Sequence, residues 1–200
     1  MGKHTITFQI RNFEYALDVI ESADILGLDF HAIASGKWFV VGHDKEYKKL
    51  RDQKIKEVDR EGYQGHDCLV LEDDSKARMD DPKPSQVYVT IDMNIPDRII
   101  RSYIFQDLDK AKDIIDSAER LDFDHDTFAS GTWHRDEDID PEEYVIEKKE
   151  VDDIQTKGNG EPYIILENGD ELVYPGGIRA DTRTLVRVKR PGWLYEIDNR

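Results

Sequence analysis

Cysteine is almost missing from this chain of 200 residues. Cys68 is the only one, which excludes an intrachain disulfide and points to a reducing, cytoplasmic compartment. Long apolar runs are missing too. The start, MGKHTITFQI, has no apolar leader core, and no later stretch approaches the roughly 18 apolar residues of a membrane span. Gly2 invites a myristoylation reading, but Ile6 stands where that signal needs Ser or Thr. Cations are the third shortage: 28 Lys and Arg face 44 Asp and Glu, a formal net charge of −16. That balance excludes a free-standing nucleic-acid binder that works by neutralising phosphates, and it argues against attachment to anionic lipid. The chain is still not of disordered type, since its 38 % hydrophobic and 10 % aromatic residues fall in patterned runs.

An internal repeat organises the first two thirds. Residues 5–40 align with residues 100–135 at a constant offset of 95, with eleven identities in 36 positions. The shared positions include Ala16/Ala111, Asp18/Asp113, Ser22/Ser117 and Leu26/Leu121, and both copies carry Ala-Ser-Gly-x-Trp, at Ala34–Trp38 and Ala129–Trp133. Composition alone does not reproduce such a motif at the same offset, so the spacing predicts a duplicated supersecondary unit.

Within each copy the periods predict β-α-β-β. Thr5–Arg11 has the β-branched and aromatic content of a strand. Asn12 and Asp107 are N-cap residues. Phe13, Ala16, Leu17, Ile20 and Ala23 follow helical spacing, as do Leu108, Ala111, Ile114, Ile115 and Ala118. Ser35-Gly36 and Ser130-Gly131 read as tight turns between two strands. Residues 44–60, rich in lysine, read as a further helix, and residues 72–84 as a polar connector. Cys68–Leu71 and Val87–Met93 read as strands.

From Tyr144 onward the pattern is β throughout, with strands expected at Tyr144–Val151, Tyr163–Leu166, Glu171–Tyr174 and Thr184–Val188. Asn168-Gly169 marks a hairpin, and Trp193–Ile197 a closing strand. The expected fold is therefore α+β: two duplicated β-α-β-β units, a helix packed on an antiparallel sheet, followed by a small β-rich C-terminal domain. The corresponding boundaries are residues 1–84, 85–143 and 144–200.

Charge is unevenly placed. Residues 1–60 carry ten acids and ten bases, residues 61–120 fourteen and eight, residues 121–170 sixteen and four, and residues 171–200 four and six. The excess centres on Asp122, Asp124, Asp126, Asp136, Glu137, Asp138, Asp140, Glu142 and Glu143. A solvated face that aids solubility is one reading. The other is a surface that fits a cationic groove, its carboxylates imitating phosphates, with fast and salt-dependent association. Clustering in one copy of a repeat favours the second. The basic stretch Arg179, Arg183, Arg187, Lys189 and Arg190 is read as neutralising the acids within the fold or in a homodimer.

Motifs for catalysis are sparse. Asp122-x-Asp124-x-Asp126 resembles the start of a calcium loop, but Thr127 and Trp133 stand where such a loop needs Gly and Glu. No zinc spacing or nucleophile elbow occurs. The histidine-aspartate dipeptide at His66-Asp67 has no recognisable further ligands, and Cys68 opens an apolar run as a core residue. Trp38 and Trp133 hold equivalent positions, each packed on its own helix or one of them an exposed anchor.

Taken together, the residues point to a non-catalytic binding or inhibitor protein without cofactor. Its partner-binding set is Asp122, Asp124, Asp126, Trp133, Asp136, Glu137, Asp138, Asp140, Glu142 and Glu143. The expected partner is a basic, nucleic-acid-handling protein, with no direct nucleic-acid contact. Phage-encoded inhibitors of restriction or CRISPR systems share this charge logic, without a shared motif. The alternatives are a metal-dependent enzyme using Asp122, Asp124, His125 and His134, with the two histidines meeting across a hairpin, and an assembly module.

Overall fold

The computed structural model describes residues 3–41, 46–78, 88–96, 101–135, 143–174 and 181–191. The chain divides into two compact units, Met1–Asp97 and Arg98–Arg200.

Unit 1 runs β1 (Lys3–Ile10), α1 (Phe13–Ile25), β2 (Asp29–Val41), β3 (Glu46–Tyr63), β4 (His66–Leu71), β5 (Lys76–Arg78) and β6 (Tyr88–Pro96). Unit 2 runs β7 (Arg101–Phe105), α2 (Leu108–Arg120), β8 (His125–Arg135), β9 (Glu143–Thr156), β10 (Pro162–Leu166), β11 (Glu171–Val173) and β12 (Arg183–Val188). Unit 1 has the strand order β1-β6-β2-β3-β4-β5, and β5 pairs back to β2. Unit 2 has the order β7-β12-β8-β9-β10-β11, and β11 pairs back to β8. Each unit thus closes four of its strands into a small ring and leaves two as a sheet extension.

The correspondence reaches individual pairs. Ile33↔Lys54 and Gly36↔Leu50 in unit 1 match Phe128↔Glu150 and Gly131↔Ile146 in unit 2. Ile55↔Leu71 and Val58↔Leu69 match Val151↔Leu166 and Ile154↔Ile164. Val40↔Ala77 matches Arg135↔Leu172, and Ser35↔Tyr88 matches Ser130↔Arg183. Strand register flips every side chain if it slips by one, so this agreement places equivalent residues on equivalent faces.

The expected α+β fold is therefore corrected. Strand makes up 63 % of the described residues and helix 17 %. Among the described residues each unit is one helix with six strands, not a helix laid on β-α-β-β. No separate C-terminal β domain follows, because β12 pairs with both β7 and β8.

Ser35-Gly36 and Ser130-Gly131 are not hairpin turns. They kink one continuous strand at the point where it changes neighbour. β2 pairs with β6 up to Ser35 and with β5 from Phe39, and β8 pairs with β12 up to Ser130 and with β11 from His134. Gly36 and Gly131 adopt φ of 107° and 97°, which only glycine tolerates readily. A β-bulge lies opposite each kink, with Arg51 and Asp52 facing Ser35, and Glu147 and Lys148 facing Ser130. The indoles of Trp38 and Trp133 donate back to the Ser35 and Ser130 carbonyls at 3.0 and 3.1 Å, and both rings are buried.

The lysine-rich stretch is β3, an 18-residue strand rather than a helix. β5 lies inside the expected connector. Residues 79–84 of the expected connector and the expected closing strand Trp193–Ile197 lie outside the described residues.

The helices begin where expected. Asn12 Oδ1 accepts from the Tyr15 amide, and Asp107 Oδ1 from the Asp109 amide. Their apolar faces supply Ala16, Leu17, Ile20 and Ala23 to one core, and Leu108, Ala111, Ile114 and Ala118 to the other. Among the described residues, no helix is long and apolar enough to cross a membrane.

Candidate functional site

α1 ends conventionally. Gly27 takes the left-handed conformation at φ 60°, and the Leu28 amide closes onto the Ala23 carbonyl at 2.9 Å. α2 ends with the same hydrogen bonds, Phe123 to Ala118 at 2.8 Å, but its left-handed residue is Asp122, at φ 61°. A side chain in that conformation costs about 1 kcal/mol relative to glycine. In exchange, Asp122 is held at the surface.

Asp124, two residues on, is also exposed, and its carbonyl accepts from the Lys189 amide at 2.7 Å. Asp126 is half-buried and ion-paired with Lys189. Lys189 thus neutralises one acid of the expected set inside the fold. Asp136, Glu137, Asp138, Asp140 and Glu142 lie outside the described residues. Glu143 opens β9 in an exposed position. Trp133 is corrected: its ring is fully buried and tilted against Tyr174, 4.6 Å between centroids, so it is a core residue and no anchor.

The helices treat their shared acids differently. In unit 1, Arg60 holds Asp18 at 2.6 Å, Glu21 at 2.6 and 2.8 Å, and Asp67 at 3.0 Å. The Glu21 carboxylate in particular pushes the guanidinium pKa further up, with Asp18 and Asp67 adding to it against desolvation. By register, Thr156 and Pro162 replace Arg60 and Asp67 in unit 2. There Asp116 is taken by Lys112 at 3.0 Å, while Asp113 stands exposed.

Sequence reasoning missed part of the acidic face. On β9, Glu143, Val145 and Glu147 alternate, and all three are exposed, Val145 by 72 %. Val145 is a single exposed apolar side chain between two carboxylates, so the strand's outer face is predominantly acidic. Alternation was the available signal, and the bulge at Glu147–Lys148 obscured it.

The residues of the alternative metal site do not converge. His125 and His134 occupy opposite ends of the one kinked strand β8, so no hairpin brings them together. His125 Nε2 lies 3.4 Å from Glu119 Oε1. Among the described residues, no group of three or more His, Cys, Asp or Glu is placed to hold a metal ion. Asp67 of the His-Asp dipeptide is bound to Arg60, and Cys68 is buried.

Comparison with known proteins found no matching family model, no similar curated protein and no similar solved structure, so the functional reading rests on these residues alone.

Proposed function

We propose that the chain is a cytoplasmic, non-catalytic binding protein. Unit 2 presents its acidic face to the basic, nucleic-acid-binding surface of a partner protein and keeps nucleic acid off it. The described acids of this face stand in two places, Asp122 and Asp124 at the entrance to β8, and Glu143 and Glu147 on β9, where Glu143 pairs with His134 toward the far end of β8; Asp136, Glu137, Asp138, Asp140 and Glu142 lie between them in sequence.

Asp122 carries the reading. Unit 1 solves the same helix end with glycine, the residue that the left-handed conformation favours. A departure from the local rule at one copy, with the side chain delivered to solvent, is what a binding position would require. Asp113, exposed on α2 and without an ion pair among the described residues, supports it further.

A displacement experiment tests the proposal. Host proteins are retained on DNA-cellulose at low salt and the column is developed with the purified chain. A mimic of phosphate spacing releases a defined protein, and the D122K/D124K/E143K/E147K variant does not. Equal release by the variant, or no release by either, would overturn the proposal.

A further inference from the structure

Strand β3 carries cations of two kinds. Lys54 binds Glu72 at 3.0 Å, Lys56 binds Asp74 at 2.7 Å, and Arg60 gathers three carboxylates. Lys49 and Arg51, together with Lys37 across the ladder on β2, have no carboxylate partner among the described residues. In a chain with 44 acids for 28 bases, three such cations side by side need a reason. Lys37 and Lys49 are direct cross-strand partners, a like-charge juxtaposition that lowers the stability of the sheet.

These three side chains line one open cleft of about 730 Å³, with Tyr47 and Tyr88 in its wall. That volume is in the range of small-molecule sites. The Lys37 ammonium lies 5.3 Å from the centre of the Tyr47 ring, which is half exposed. A cation trio beside flat aromatic faces matches a ligand with a phosphate group at one end and a planar ring at the other. One carboxylate, Asp52, is also in the wall. Its Oδ1 accepts from Ser35 Oγ at 2.7 Å, and its amide donates to the same hydroxyl oxygen at 3.1 Å. It is tied into the bulge and leaves the cleft with a positive excess.

Unit 2 supplies the comparison. By register, Thr132, Val145 and Glu147 stand where unit 1 has Lys37, Lys49 and Arg51. One scaffold position is cationic in one unit and apolar and acidic in the other.

We propose that unit 1 binds a nucleotide, a planar base carrying a di- or triphosphate, in the cleft between Ser35–Lys37 of β2 and Tyr47–Asp52 of β3. The phosphates meet Lys37, Lys49 and Arg51, and the base lies against a tyrosine ring. This site is separate from the acidic face of unit 2 and does not depend on it.

Isothermal titration of the full chain with ATP at low salt tests the site, with adenosine, inorganic tripolyphosphate and a ten-nucleotide DNA strand as parallel probes. The expected result is saturable binding of one ATP per chain, tighter than any other probe. K49A/R51A, whose positions are exposed, weakens it by about tenfold or more, as does K37A to a smaller degree. V145A/E147A leaves it unchanged. Absence of saturable ATP binding, or ATP affinity unchanged in K49A/R51A, would overturn the proposal. So would tripolyphosphate binding as well as ATP, which makes the cleft a mere anion patch, or the DNA strand binding more tightly, which makes it a strand interface. If the cleft instead takes the acidic segment of a second copy, the chain self-associates in a salt-sensitive way that K49A/R51A abolishes and ATP does not compete with. That result also contradicts the nucleotide site.

Discussion

The indole nitrogen of Trp38 donates to the carbonyl oxygen of Ser35 at 3.0 Å, spanning the kink at which β2 leaves β6 for β5. Trp133 makes the same bond to Ser130 in unit 2. Each tryptophan closes the backbone that its own Ser-Gly pair bends. Replacement by phenylalanine removes the donor and leaves a gap in the core, which together cost about 2–4 kcal/mol. W38F and W133F are expected to lower the urea midpoint to similar degrees. A negligible effect of either would show that the indole bond does not hold the kink.

Gly131 is under double constraint. Its φ of +97° disfavours any side chain, and an added Cβ would come within 2.1 Å of the Asp181 carbonyl oxygen. Gly169 shares the positive φ, at +85°, but has open space around it. G169A is expected to cost about 1 kcal/mol and G131A upwards of about 3 kcal/mol. Chemical denaturation of the pair separates backbone strain from collision, and equal effects would contradict the close approach of residue 181.

Asp122 links stability and binding in opposite directions. D122G relieves the left-handed side chain and is expected to stabilise by about 0.5–1 kcal/mol. The same change removes one carboxylate from the proposed contact face, so partner binding weakens. A variant that melts higher and binds equally well would remove Asp122 from the face.

Tyr174 gives an alkaline signature. Burial pushes its hydroxyl pKa above the usual 10, against a smaller opposing effect of Thr184. The folded state therefore holds the proton more tightly than the unfolded chain does. The resulting stability is complete below about pH 10 and is lost as pH rises toward the folded pKa. Tyr174 also donates to the Phe105 carbonyl at 3.2 Å. Y174F is expected to lose about 1 kcal/mol near neutrality and to decline less steeply above pH 10. Tyr103, raised by burial, and Lys56 and Lys76, raised mainly by hydrogen bonds to Asp74 and Asp59, act in the same direction. The slope in Y174F is thus reduced, not abolished.

The helices, their caps and most ladder strands were legible because each rests on a local pattern. The long strands were not, and β3 shows why. Its inward residues are Leu50, Ile55 and Val58, at spacings of five and three, and β9 repeats this with Ile146, Val151 and Ile154. Three register shifts in β3 and two in β9 break the period of two, and what remains resembles a helical face set among lysines. Ser-Gly misled for a related reason: a kink and a hairpin both need positive φ, and only the pairing partners tell them apart. The acidic face was half legible. Composition located Asp122, Asp124 and Glu143, but which carboxylates are neutralised depends on Arg60, Lys112 and Lys189, whose reach only the fold fixes.

The contrast between the units also changes once they are drawn at their true boundary. Residues 1–97 hold nineteen acids and thirteen bases, and residues 98–200 hold twenty-five and fifteen. Both are acidic, so what distinguishes the units is where the acids stand and not the sign of their total. The most direct measurement compares two charge reversals of equal size in the DNA-cellulose displacement assay. One is D122K/D124K/E143K/E147K on unit 2. The other is E14K/D24K/E57K/E61K at exposed positions of unit 1. Only the unit 2 variant is expected to lose displacement, while the unit 1 variant behaves as the wild type. Equal loss in both would show that net charge, and not the unit 2 face, carries the binding.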